Sequence, residues 1–366
     1  MAISEPQKLG KGDNRSKRHR RRFHDGREHP SNVYGALDLG TNNCRLLIAK
    51  RQGKGFRVID SFSRIVRLGE GVSLTGKLSE GAMDRTVEAL RICADKMRRV
   101  GVTHMRCVAT EVCRKAGNSE EFLARVAEEC GIELDIITTA EEAALAAEGC
   151  APLIDYRHRN ALVFDIGGGS TELIWLGLRG RRRSEVLGWM SIPYGVVTLT
   201  ERHGGMEITE DAYANMMLDV SEHIDDFEAT HGIAEQIREG QVQMLGTSGT
   251  VTTLAGVHFG LERYNRRRVD GAWLNTRAML DICRRLATSD YAARVLEPCI
   301  GEERADLVVS GCAIVEAMHN RWPVKKLRVA DRGLREGMLL GMMRRVDNER
   351  HGRQPAQNSA PAARPS

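Results

Sequence analysis

The chain has 366 residues, 42% of them apolar and 28% charged, and a formal net charge of +5. That length is enough for two domains with real cores. No run of eighteen or more uncharged apolar residues is present, so no helical membrane span is expected.

The basic excess is local. Residues 1–31 hold nine Lys/Arg against four Asp/Glu, which leaves the rest of the chain near neutral. An evenly basic protein would argue for nucleic acid; here the charge belongs to a tail that includes Lys17, Arg18, Arg20, Arg21 and Arg22. Residues 1–31 are expected to be disordered. They are a solvated tail or a weak electrostatic trap for a polyanion such as RNA or polyphosphate. No apolar stretch follows the basic start, so it does not read as a secretory signal.

Residues 33–38, 44–50 and 56–62 read as three short strands. Ser79 caps a helix to about Arg99, because Met83, Val87, Leu90, Ala94 and Met97 recur at 4, 3, 4, 3 and make one apolar face. Gly101 ends it. A strand at 105–109 follows. Asn118 with Glu121 is a capping-box pattern opening a helix that Gly131 closes. Residues 134–138 read as a strand and 140–148 as a helix led by Glu141 and Glu142. The order strand, strand, strand, helix, strand, helix, strand, helix resembles the ribonuclease H-like half of the actin and sugar-kinase superfamily, a likeness of fold that does not fix function.

The second half repeats the opening. Strands are expected at 161–166, 172–178 and 184–192, the last two joined by the turn 179–183, whose arginines either face solvent or guide an anionic polymer. Thr209 opens a long helix with Ala212, Met216, Val220, Ile224 and Phe227 inward. A strand at 242–246 runs into the turn Thr247, Ser248, Gly249 and a further helix; a helix N-terminus fed by such a turn is an anion site. Helices at 275–287 and 303–318, a strand at 326–330 and a last helix from 334 to about 345 complete the pattern. The expected domains are 32–150 and 151–345, with the last helix packed back on the first and a disordered tail over 346–366.

Nine cysteines, at 44, 93, 107, 113, 130, 150, 283, 299 and 312, form no Cys-x-x-Cys pair and no zinc spacing. They read as reduced, buried thiols of a cytoplasmic protein. Cys44 stands apart because it adjoins a glycine turn. His104 and His203 lack partner spacing and read as structural or exposed.

Two stretches carry the chemistry. Residues 161–173 read A-L-V-F-D-I-G-G-G-S-T-E-L. Strand, glycine turn and strand place Asp165 and Glu172 around Gly167, Gly168, Gly169 and Ser170. Backbone N–H groups in such a turn form a concave anion site, and the carboxylates suit a hard cation such as Mg²⁺. Residues 35–48 repeat the pattern: Asp38 aligns with Asp165, Gly40 with Gly167 and Asn43 with Ser170, with Thr41 and Asn42 between. Two such hairpins suggest half-domains facing one ligand.

Six segments in order, 36–49, 109–118, 139–143, 163–173, 246–255 and 329–337, resemble the exopolyphosphatase/guanosine pentaphosphate phosphohydrolase (Ppx/GppA) family in its short two-domain form. The resemblance covers 33 to about 345. It implies two actin-like (ribonuclease H-like) α/β domains with the active site in the cleft between them. The implied activity is removal of terminal phosphate by hydrolysis from inorganic polyphosphate or guanosine pentaphosphate, with Mg²⁺ or Mn²⁺ and in a homodimer. The helical C-terminal region of long exopolyphosphatases has no match here, so the resemblance does not extend to long-chain processivity. The family points to Glu142 as the base; by residue type alone, Glu141 and Glu142 also fit first-turn acids favoured by the helix dipole.

Asp165, Glu172 and Asp38 are the candidate metal ligands. Gly40, Thr41, Asn42, Asn43, Arg114, Gly167, Gly168, Gly169, Ser170, Thr247, Ser248 and Gly249 are the candidate phosphate ligands, Arg114 through its forked guanidinium. Two other readings stay open: an ATP-dependent kinase of the same superfamily, and a non-catalytic regulator that binds the alarmone.

Overall fold

A computed structural model describes residues 32–53, 55–180, 183–204 and 206–352. The basic tail at 1–31 and the end of the C-terminal tail lie outside the described residues, as do Arg181, Arg182 and the side chain of Arg183.

Eleven strands are described: β1 Val33–Leu39, β2 Asn43–Gln52, β3 Gly55–Ile65, β4 His104–Ala109, β5 Asp135–Ile136, β6 Asn160–Ile166, β7 Thr171–Arg179, β8 Arg183–Ile192, β9 Val242–Thr247, β10 Trp273–Asn275 and β11 Lys326–Ala330. They form two sheets, ordered β3-β2-β1-β4-β5 and β10-β11-β9-β6-β7-β8. In each sheet three antiparallel strands continue into parallel ones. Reading the second sheet backwards from β8 gives the same order with β10 added. This is an actin-like α/β fold with two ribonuclease H-like sheets.

Local signals explain most elements. The Glu80–Val100 helix starts where Ser79 accepts from the Ala82 N–H and stops at Gly101, whose φ of 70° is left-handed. Its face buries Met83, Val87, Leu90 and Met97, each worth roughly 1.5–3 kcal/mol on leaving water. Leu90→Ala would cost about 2–5 kcal/mol through the cavity it leaves. The Glu210–His231 helix is capped by Thr209 and buries Met216, Val220, Ile224 and Phe227, while Ala212 is only half-buried.

Other expectations are corrected. Asn118 precedes the Ser119–Cys130 helix but makes no capping bond. Its amide instead accepts from Leu78 N at 2.8 Å and donates to Leu78 O at 3.0 Å, tying two loops together. The 134–138 strand shrinks to β5, which pairs with β4 only at Val108 and Ala109. The helix expected from 303 begins at Val308. The last helix runs from Leu334 to Gly352, past the expected end at 345, because no Gly or Pro follows Arg345 until Gly352 and Arg51 pairs with Asp347 at 2.7 Å.

Two helices fill the space between the sheets. Leu334, Met338, Leu339 and Met343 of the last helix pack on Tyr34, Ala36 and Leu47 of the first sheet. Ala143, Ala146, Ala147 and Cys150 of the Thr139–Cys150 helix pack on Ala161, Val163 and Ile174 of the second. All nine cysteines are buried and free. No helix among the described residues is long and apolar enough to cross a membrane.

Candidate active site

The β1–β2 and β6–β7 hairpins are built alike. Gly40 N donates to Asn43 O at 2.9 Å, and Gly167 N donates to Ser170 O at 2.9 Å. In register, Asp38 lies opposite Arg45 and Asp165 lies opposite Glu172. The sheets bring the two turns face to face. A Cβ on Gly169 would fall 1.5 Å from the Glu111 carboxylate and 2.7 Å from Thr41 Oγ1, so both side chains would have to shift for any larger residue.

In both turns the carbonyls are already taken, which leaves N–H groups for a ligand. Val66 and Arg67 donate their backbone N–H to Asn42 O at 2.9 and 3.1 Å, and Gly69 donates to Thr41 O at 2.8 Å. The start of the Val196–His203 helix does the same for the second turn. Val196 N reaches Gly167 O at 3.0 Å, and Val197 N reaches Gly168 O at 2.7 Å. Gly195 must be glycine, since a Cβ there would lie 2.5 Å from Gly168 O. The Asn42 side-chain oxygen is buried with no hydrogen-bond partner among the described residues.

The turns border a cleft of about 130 Å³, lined by Asp38, Glu142, Asp165 and Glu172 together with the third turn at Ser248 and Gly249. Ser248 holds a φ of 132° and caps the Gly249–His258 helix by accepting from Val251 N at 3.3 Å. Such a backbone costs about 1–3 kcal/mol and collects at functional turns. A second chamber of about 440 Å³ continues past Asp38, Asp165 and Arg45 towards Arg266 and Arg335.

Glu142 lies on the first turn of the Thr139–Cys150 helix, whose cap is Thr138, which accepts from Glu141 N. Its carboxylate accepts from Arg114 Nη2 at 2.9 Å, and the side chain is 14% exposed. Burial pushes Glu142 up to about 7; Arg114 opposes the rise, and the charges of Asp38 and Asp165 add to it. Glu141 turns away and pairs with Arg106. Burial likewise raises Asp165 to about 6 against Arg45, and raises Asp38. Glu172 rises well above the carboxylate range by burial and by the charges of Glu142 and Asp165. It accepts from Ser170 Oγ at 2.6 Å and Ser191 Oγ at 3.1 Å.

Most of the residues expected from the sequence therefore meet in one cleft. Arg114 does not line it; its guanidinium donates to Glu142 and, at 2.7 Å, to Ile137 O. Thr247 faces the second chamber and donates to Arg332 O at 2.9 Å. His203 pairs with Asp219 and His104 stacks on Tyr34. Arg45, Glu111, Arg304 and Arg335 also line the chambers and were not singled out by the sequence. Arg45 had a signal, since the hairpin alignment sets it on Glu172. The others are placed only by the tertiary fold.

The family model for Ppx/GppA phosphatases matches residues 47–346. The chain belongs to the Ppx/GppA phosphatase family. Solved structures agree. An exopolyphosphatase-like protein is 29% identical with a TM-score of 0.77, and the match covers 86% of this chain and 99% of that one. An exopolyphosphatase from Cytophaga hutchinsonii is 26% identical with a TM-score of 0.77, covering 85% and 98%. The Aquifex aeolicus Ppx/GppA family member is 26% identical with a TM-score of 0.72, covering 87% and 99%. The apposed hairpins and the buried carboxylates are thus the candidate site of a Ppx/GppA protein, and their donors suit a hydrolase that handles phosphate.

Proposed function

We propose that this Ppx/GppA protein removes the terminal phosphate of inorganic polyphosphate or of guanosine pentaphosphate, with Glu142 as general base. The observation that carries this reading is Glu142 itself. It is a nearly buried carboxylate, oriented by Arg114, at a cleft walled by two anion-binding turns, with its affinity for a proton raised to about pH 7. A base poised near the working pH is the efficient one.

The N–H groups of residues 41–42 and 168–170, which no backbone carbonyl takes, hold the terminal phosphate, and Arg45 balances its charge. A water oxygen bonds to the terminal phosphorus while the bridging P–O bond breaks. The water proton passes to Glu142, and the electron pair stays on the shortened chain. Phosphoryl transfer asks the protein mainly for such placing and charge balance.

The donors fit a hard divalent cation. Asp38 and Asp165 are neighbouring oxygen donors, each raised chiefly by burial, and the charge of Asp38 adds to the rise of Asp165. No group of three or more His, Cys, Asp or Glu among the described residues is placed to hold an ion by itself. Mg²⁺ ordinarily takes one or two carboxylates and completes its shell with water and substrate phosphate. Asp38 and Asp165, with Glu172 behind them, would hold Mg²⁺ or Mn²⁺, which when bound neutralises phosphate charge. The nine buried free thiols suit a cytoplasmic protein.

The test is phosphate release from polyphosphates of several lengths and from guanosine pentaphosphate, with and without a chelator. Release from at least one substrate, lost in chelator, is expected. Transfer of phosphate only to an acceptor would instead mark a kinase, and binding without release would mark a regulator.

A further inference from the structure

The two turns are held by separate supports, and those supports are joined to each other. The first is the segment after β3, whose N–H groups at Val66, Arg67 and Gly69 carry the carbonyls of Thr41 and Asn42. The second is the Val196–His203 helix, whose first N–H groups carry Gly167 O and Gly168 O, while Thr198 Oγ1 donates to Gly169 O at 3.2 Å.

Glu201 is one turn further along that helix. Its carboxylate accepts from Gly71 N at 2.8 Å and from Ser73 Oγ. Arg67 reaches in the other direction. Its guanidinium donates to both Asp306 oxygens, at 2.7 and 3.3 Å, and to Glu303 O at 3.4 Å. Arg67 holds a φ of 50°, a left-handed backbone uncommon for a side chain of this kind. The segment 67–73 is thus gripped at both ends by the second-sheet half of the molecule.

We infer that Arg67 and Glu201 are positioning residues that set the distance between the two phosphate-binding turns. Neither lines the cleft. Each acts through a backbone segment that hydrogen-bonds a turn. A phosphate held by both turns is aligned for attack only when both supports are locked together, and a misplacement of about 1 Å can cost about 10²-fold in rate. The Arg67–Asp306 pair is half-buried, and its forked contact serves direction, since two parallel bonds fix an angle. The inference rests on the proposed hydrolysis, and its test keeps the two apart.

The variants are Arg67→Gly, Glu201→Ala and the exchange Arg67→Asp with Asp306→Arg. Glycine accepts the left-handed backbone, so Arg67→Gly removes the guanidinium without straining the loop. Two readouts are taken on the full chain. Backbone hydrogen exchange without substrate should rise in both 66–73 and 196–201 in each single variant. The kcat/KM for phosphate release should fall about 10–100-fold with an unchanged melting midpoint, and the exchanged pair should recover most of the loss. Faster exchange in both segments with no phosphate release from any substrate in the parent would defeat the hydrolase reading and leave the coupling standing. Faster exchange confined to the mutated segment, or an unchanged kcat/KM in a parent that does release phosphate, would overturn the positioning role.

Discussion

The two hairpins share a backbone and differ in charge at the cross-strand pair that holds the aspartate. Each closes with the same 2.9 Å bond across its turn, from Gly40 N and from Gly167 N. Opposite its aspartate, however, the first carries Arg45 and the second carries Glu172. The shared part is a pair of N–H-lined turns, carbonyls turned away, that face one cleft. The differing part divides the labour. Arg45 lowers the proton affinity of Asp38 and Asp165, whereas Glu172 sits among acids and rises well above its usual range. On the reading proposed above, one hairpin would supply positive charge for phosphate and the other oxygen for a cation.

The harshest way to break this comparison is to make the hairpins alike. Arg45→Glu replaces the cation opposite Asp38 with a further acid in a cleft already lined by Asp38, Glu142, Asp165 and Glu172. We expect kcat/KM to fall by about 10³-fold, the scale of a lost arginine in phosphoryl transfer. Denaturant melts should also show a large loss of stability. Activity within tenfold of the parent would mean that Arg45 does not serve the phosphate. Gly169→Ala is next. The new methyl meets Glu111 and Thr41, so these side chains must shift, and we expect a loss of about 10²-fold in kcat/KM. A crystal structure of the variant with Glu111 and Thr41 unshifted would contradict the packing argument.

A milder probe is pH. With Glu142 as the proposed base, the reaction would need it unprotonated, so activity should fall as pH drops below about 7. Arg114→Met removes the group that opposes the rise and should move that limb to higher pH. A limb that stays in place would detach Arg114 from Glu142. The same raised value has a sign for stability. Between the ordinary 4.5 and about 7 the folded protein keeps a proton that the unfolded chain has released. The contribution of Glu142 is therefore largest at low pH and declines as pH rises through that window. The smallest effect belongs to Ser191→Ala, which deletes one of two donors to Glu172 and should cost about 0.5–1.5 kcal/mol in a thermal melt.

Much of this was legible in the sequence where the signal is local. Asp, Gly and hydroxyl residues between two apolar runs define each hairpin without outside help, and Ser79 and Gly101 bracket their helix as written. The succession of strands and helices was legible too, whereas the order of strands within each sheet came from the fold. Legibility failed where a partner lies far along the chain. Asn118 looked like a cap, but Leu78, forty residues earlier, takes its amide. Arg114 looked like a phosphate ligand until Glu142 was beside it. Arg67 and Asp306 are 239 residues apart, and no periodicity announces such a pair. The short Val196–His203 helix was overlooked because its role is to receive carbonyls from a turn, which only the fold reveals.

The central claim, that Glu142 takes the proton of the attacking water, is tested most directly by Glu142→Gln. Steady-state phosphate release and substrate binding should be measured together on the same preparation. The swap keeps size and the contact to Arg114 but cannot accept a proton. The account predicts that kcat falls by about 10²–10⁴-fold while affinity stays near that of the parent, with Glu141→Gln far milder because Glu141 faces Arg106. A near-normal kcat in Glu142→Gln, or a larger loss in Glu141→Gln, would contradict it.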